Sequence, residues 1–203
     1  MTNRTSWVLT GLLGLTLSVG SADEAAAQQM YGGSYGLSQS LSDSKTFADD
    51  FSFRNFSTEI RMMIGGQASV GGSIGWNVFH EERIEQTDVP NLPVTASGVQ
   101  FRTINTVPVL LTAHKYFGAP RQPRAYLGVG VGPVYTQRRL DLGVLGLDNS
   151  SWDLGVVPEV GFFIPTAGFS EVFLSAKYQF ATGDIGADAI YFSVGIMSWP
   201  FAF

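Results

Sequence analysis

Between Trp152 and Phe180 the chain alternates two kinds of side chain over two long arms, and few folds can use that pattern. On one parity lie Trp152, Leu154, Val156, Pro158, Val160, Phe162 and Ile164, then Val172, Leu174, Ala176, Tyr178 and Phe180. The other parity carries Asp153, Gly155, Val157, Glu159, Gly161 and Phe163, then Glu171, Phe173, Ser175, Lys177 and Gln179. Side chains of a strand point to opposite faces with period two, so the segment predicts a hairpin with one apolar and one mixed face. Its arms run ten or more residues. A globular strand averages roughly five to six residues, whereas a tilted membrane-crossing strand needs roughly 9–11.

The same period recurs along the chain. Residues 31–41 alternate Tyr31, Gly33, Tyr35 and Leu37 with Gly and Ser, and Phe56, Thr58, Ile60, Met62 and Ile64 alternate with Ser57, Glu59, Arg61 and Met63. After Gly65-Gly66-Gln67, which reads as a tight turn, Val70, Gly72, Ile74, Trp76 and Val78 form a third face. Val99–Phe117 is extended with mixed parity, because Val107, Val109 and Leu111 oppose Ile104 and Leu110 and Pro108 lacks a ladder donor. Leu127, Val129 and Val131 lead a fifth strand, and Ala189–Phe203 is the last. Together with the hairpin these make eight strands. The connections expected at 42–50, 81–98, 139–150 and 181–188 are long, and those at 65–67, 118–123 and 165–170 are short.

Charge and the N-terminus set the compartment. The chain has no cysteine and a formal net charge of −5. That composition excludes a disulfide framework and thiolate metal sites, and gives no basic surface for nucleic acid. Arg4, the apolar run Trp7–Val19 and the small residues Ala25-Ala26-Ala27 compose a secretory signal peptide over 1–27, with Gln28 as the first mature residue. The apolar run is too short for the roughly 20 residues of a spanning helix. An exported chain without helical spans can still cross a membrane, but only as a closed barrel. A soluble sandwich or lipocalin-like barrel is the competing architecture, and it would turn charge outward. Here the non-apolar face is rich in Gly and Ser, which suits a narrow interior better than a wet surface. The expectation is an all-β chain, an eight-stranded antiparallel up-and-down transmembrane β-barrel over 28–203.

The end of the chain, Met197-Ser198-Trp199-Pro200-Phe201-Ala202-Phe203, places aromatics at alternate positions up to a terminal Phe. With the signal peptide, the run Val107–Leu111 and the run Ala125–Gly132, it resembles the outer-membrane β-barrel domain family, which includes small OmpA-type and OmpW-type barrels. The resemblance implies that Trp199, Phe201 and Phe203 form the insertion signal read by the barrel-insertion machinery. Two departures stand out: Pro200 lies inside the last strand, and Ile190, Phe192, Val194 and Ile196 have the opposite parity to Phe201 and Phe203. Either a bulge near Met197 reconciles the two sets or one of them points inward.

Several residues bear on chemistry. Glu59, Arg61, Glu159, Glu171 and Lys177 fall on the mixed faces, and a buried charge is costly unless paired, so they are expected to form a lumen network. Arg102 and His114 lie on a strand of mixed parity, so a lumen place for them stays open. Such a network would be a static plug or, in exchange of partners, a gate. His80 with Ser40 or Ser42 would be the elements of a hydrolytic site, yet no spacing joins a nucleophile to an oriented base, and the His-x-Ser-Asn pattern of lipid-A deacylases is absent. Glu81, Glu82, Glu85 and Asp88 lack the order of a calcium loop and read as solvated charge. Trp76, Trp152, Trp199, Tyr31 and Tyr135 are expected at the headgroup level.

The reading is therefore a non-enzymatic, structural or surface-exposed outer-membrane barrel with a charge-filled lumen, without metal or cofactor. Its partners are outer-membrane lipid, lipopolysaccharide and the insertion machinery, and a monomer is favoured. The alternatives are a narrow channel or carrier for small, apolar solutes and, third, a lipid-A-modifying enzyme.

Overall fold

A computed structural model describes residues 29–41, 47–48, 51–88, 95–142, 145–166, 168–183 and 188–199. The signal segment 1–27 and the terminal Phe201 and Phe203 lie outside the described residues. The strands are β1 (Gln29–Ser40), β2 (Ser52–Ile64), β3 (Ala68–Asp88), β4 (Thr95–Phe117), β5 (Arg124–Leu142), β6 (Leu145–Pro165), β7 (Ser170–Ala181) and β8 (Ala189–Ser198). Each pairs antiparallel with its neighbour in sequence, and β8 closes on β1 through Tyr31↔Ser198 to Ser40↔Ala189. Closure removes the free edges over the length that all eight strands share, so the ladder there is satisfied within the sheet and needs no water.

The apolar parity faces outward. Leu127, Val129, Val160, Leu174, Phe192 and Val194 are all 43–53% exposed. Soluble proteins rarely expose so continuous an apolar surface, whereas an acyl-chain surround makes it favourable. Two concavities, of about 770 and 1210 Å³, also lie on this surface, the first between Val160, Leu174 and Phe192 and the second among Ile60, Val70 and Leu111. They belong to the outer wall and not to the lumen. In β4 the even residues from Ile104 to Tyr116, including Leu110, turn inward and are buried, while Val109 and Leu111 face out. The mixed parity of that stretch was therefore two separate faces, with apolar groups on both.

Inward glycines make the narrow lumen fillable. A Cβ on Gly161 would lie 2.3 Å from the Tyr126 ring, and one on Gly195 would lie 2.5 Å from that of Phe173. Bulk on one strand thus meets its absence on the next, as a small barrel demands. Gly161→Val is expected to destabilise the barrel by about 1–3 kcal/mol through overpacking. Urea titration of the folded band on unboiled gels checks it; an unchanged midpoint would contradict the close fit.

Two long connections expected from sequence are corrected. Glu81–Gly98 is not a loop: β3 runs to Asp88 and β4 begins at Thr95, in register from His80↔Thr103 to Asp88↔Thr95. Likewise β5 and β6 continue to Leu142↔Leu145, so 145–150 is strand. Once both faces of a hairpin are wet, polar side chains no longer argue against strand, because backbone pairing does not depend on them. The turn at 65–67 is as expected, with Gly65 at a φ of 62°.

These extensions make the long-loop end lopsided. β2 begins at Ser52 and β7 ends at Ala181, opposite Gly155. Beyond those points β3, β4, β5 and β6 continue as a four-stranded wall above one side of the mouth. The stretch Phe47-Ala48 sits at the foot of this wall, with Ala48 fully buried against Phe79, Ile104, Ala189 and Tyr191. Ser40 Oγ donates to the Ala48 carbonyl.

Candidate functional site: the charged lumen

The alternation that sends apolar groups to the outer wall sends Glu59 and Arg61 of β2, His114 of β4, Arg124 and Tyr126 of β5, Glu159 of β6, and Glu171 and Lys177 of β7 into the lumen. Arg61 is fully buried and grips the Glu59 carboxylate from the same strand, through Nε at 3.1 Å and Nη2 at 2.9 Å. Its Nη1 donates to the Tyr116 hydroxyl at 3.2 Å. Across the lumen its Nη2 lies 3.6 Å from Glu159. Glu159 in turn accepts from the Tyr126 hydroxyl at 2.7 Å and lies 3.7 Å from Lys177 Nζ and 3.4 Å from His114 Nε2. Glu159 and Lys177 are Cα partners in the β6–β7 ladder, so the sheet register itself sets that pair.

A second pair lies toward the short-turn end. Arg124 Nη2 meets Glu171 Oε2 at 2.9 Å, and both residues are about 1% exposed. Phe163 stands between the two guanidinium groups, 5.6 Å from that of Arg61 and 5.3 Å from that of Arg124. Tyr126 lies 4.8 Å under Arg61 and Tyr116 4.6 Å under Arg124. Cations over aromatic faces within about 6 Å are attracted by the ring quadrupole, more strongly when dry. Met30, Met63, Phe173, Met197 and Trp199 complete an apolar cap at that end.

Trp199 thus corrects an expectation. It is 6% exposed and stacks 5.8 Å from Arg124, so it is not a headgroup aromatic. The β8 register with β1 and β7 runs without a shift to Ser198, and no bulge intervenes. As far as Trp199 the strand therefore keeps its parity, with Ile196 outward and Met197 and Trp199 inward. Tyr31, Trp76 and Trp152 do face outward, at 44, 57 and 65% exposure. Tyr135 is half-buried, its ring 5.2 Å from that of Trp152.

The other candidates separate. Arg102 lies at the mouth and donates to Gln100 at 3.0 Å, away from the central network. His80 is exposed and hydrogen-bonds Thr103 at 3.0 Å, while Ser40 is turned to Ala48; Ser42 lies outside the described residues. Glu81 is buried and Glu82 exposed, as neighbours on a strand must be, so they do not share a calcium site. Sequence reasoning did not single out Arg124, Tyr116, Tyr126 or Ser69. Arg124 and Tyr126 share the inward parity with Gly128 and Gly130, and that was their available signal.

Two further groupings in the lumen resemble chemical sites, and the geometry disfavours both. Glu59, His114 and Glu159 bring ligand atoms within 4.8 Å of one another. Arg61 and Lys177 already neutralise both carboxylates, so a divalent cation would meet two fixed positive charges. Ser69 Oγ lies 3.4 Å from His114 Nδ1, giving the order serine, histidine, glutamate. Ser69 is instead engaged with the Tyr116 hydroxyl at 2.9 Å and is 1% exposed. A buried nucleophile without a cavity for a reacting carbonyl has no acyl transfer to perform.

Above the network lies a void of about 40 Å³ lined by Asn55, Ser73, Asn77, Lys177, Gln179 and Ser193. A water requires roughly 10–15 Å³ of such space. In its lining Asn77 Oδ1 and Tyr191 OH are buried without a protein partner. Ordered water is the physical remedy for such groups.

No family model and no curated protein sequence matches this chain. Solved structures do. The attachment invasion locus protein Ail of Yersinia pestis, in complex with the heparin analogue sucrose octasulfate, is 11% identical, with a TM-score of 0.53 over 85% of this chain and 97% of that one. Neisserial surface protein A is 12% identical, with a TM-score of 0.53 over 84% of this chain and 96% of that one. The fold is that of the small eight-stranded outer-membrane β-barrels. At such identity the likeness concerns the barrel, and the lumen residues have to be read from this chain alone.

Proposed function

We propose that this protein is a non-enzymatic outer-membrane barrel whose lumen is a static, charge-filled plug and whose working surface is the external wall of β3–β6. The observation that carries the reading is the pair of fully enclosed arginines, Arg61 and Arg124, each bonded to a carboxylate and faced by rings. Separation of salt bridges so enclosed would leave charges in a low-dielectric interior. The void of about 40 Å³ beside them, among the described residues, is too small to be a solute path. Location in the outer membrane of a Gram-negative-type cell accords with the exported leader in the sequence and with the apolar outer wall. Lipid and lipopolysaccharide then surround the wall, the insertion machinery assembles it, and the monomer is complete because β8 closes on β1.

Planar-bilayer recording tests the plug. Parent protein, Glu159→Ala and Lys177→Ala are all expected to give silent traces, because the rings and Arg61 remain in place. Discrete openings in the parent would favour a narrow channel instead. Openings that appear only in the variants would turn the plug into a gate.

A further inference from the structure

The outer wall is unevenly filled over β2–β5. Along the β3–β4 ladder, Gly72 pairs with Leu111, Val70 with Ala113 and Ala68 with Lys115, all on the outward face. Because Gly72 has no side chain and Ala113 only a methyl, Leu111 stands 78% exposed. A groove of about 1210 Å³ opens around them, with Ile60 on one side and Val129 on the other.

The row below Ala113 ends this groove in a charge. Lys115 is exposed and shares the outward parity of Leu111 and Ala113. Among the described residues it is the one charge on the lipid-facing parity of the strands near the short turns, and no described carboxylate forms an ion pair with it. Its Nζ donates to Gln67 Oε1 at 3.3 Å, and the Tyr116 N–H holds the Gln67 carbonyl at 2.9 Å in the β2–β3 turn. A Cβ on Gly65 or Gly66 would meet nothing within 4 Å, so the space beside that turn is open.

We propose that this groove seats one glycerophospholipid of the periplasmic leaflet, with a net anionic headgroup. Its acyl chains lie along Gly72 and Ala113, and its phosphate lies on Lys115 with the Gln67 amide nitrogen as second donor. A lysine on an apolar wall lays its stem on that wall and carries its ammonium to the headgroup level, and the short turns of such barrels face the periplasm. A zwitterionic headgroup would bring a second ammonium to a place with no carboxylate to receive it, so a net anion is preferred. The site rests on the membrane placement proposed above and is independent of the plug.

The test uses isotope-labelled protein in phosphatidylcholine nanodiscs that carry a rising fraction of phosphatidylglycerol. Amide signals of Gln67, Ala113 and Lys115 are expected to shift saturably, while that of Trp152, toward the long-loop end, stays in place. Lys115→Gln should raise the half-saturating fraction about fivefold, the factor that one basic side chain supplies near an anionic membrane surface. Ala113→Leu should also raise it, by filling the groove with the charge unchanged. Arg121→Gln, which removes the turn cation over Phe169, should leave it as it was. A half-saturation unmoved by Lys115→Gln or by Ala113→Leu would overturn the site. So would one raised equally by Arg121→Gln, which would show diffuse attraction. Protein left outside the discs would overturn the membrane placement and the site together, whereas inserted protein indifferent to phosphatidylglycerol would overturn the site alone.

Discussion

Arg61→Ala is expected to lower folding stability by about 3–5 kcal/mol, the usual cost of removing one partner from a buried ion pair. The magnitude follows from what remains. Glu59 and Glu159 would face each other across the lumen, both nearly inaccessible to water, with the Lys177 ammonium 3.7 Å from Glu159 and no cation beside Glu59 among the contacts described above. The Tyr116 hydroxyl would lose its donor, and the rings of Tyr126 and Phe163 the cation they enclose. Removing both members of the pair should be milder, because apolar groups of similar volume leave no uncompensated charge. Arg61→Met with Glu59→Leu is accordingly expected to recover much of the loss. Urea titration of the folded fraction on unboiled gels, for parent, single and double variants, reads this directly. A single variant as stable as the parent would mean that water reaches the network.

Val129→Arg is expected to be nearly as damaging for the opposite reason. Val129 is outward and 43% exposed, half-way along the part of β5 that runs from Arg124 to the Tyr135–Trp152 pair. An arginine on the lipid face at mid-depth costs about 2–4 kcal/mol, and less toward the interfaces. Asp148, on the wall beyond the apolar band, should accept arginine almost freely. Folding yields into vesicles of the two variants, Val129→Arg and Asp148→Arg, compare these depths. Equal yields would place water, not acyl chains, against the outer wall and sink the membrane assignment.

How much was legible beforehand follows from where the period-two signal is strong. In β6 and β7 each parity has a distinct chemistry, so sidedness and the lumen places of Glu159, Glu171 and Lys177 could be read residue by residue. In β4 both parities are apolar, and His114 and Arg102 stayed open until pairing was known. Arg102 and His114 do share the inward parity, but they lie twelve positions apart, one at the mouth and one in the network. Beyond the membrane the hydrophobic contrast disappears, and the strands at 81–88, 95–98 and 145–150 looked like loops. Trp199 was misplaced because an aromatic near the end of a strand suits a headgroup layer, while its parity, shared with Met197, sent it inside.

Sequence alone determined that eight alternating segments with one apolar face would make a closed antiparallel barrel, because side-chain direction along a strand has a fixed period. Which charge meets which was left to the closed structure. Arg61 reaches Glu159, and Arg124 reaches Glu171, across strands far apart in sequence. Only strand stagger and the room left by inward glycines bring such groups within hydrogen-bonding distance.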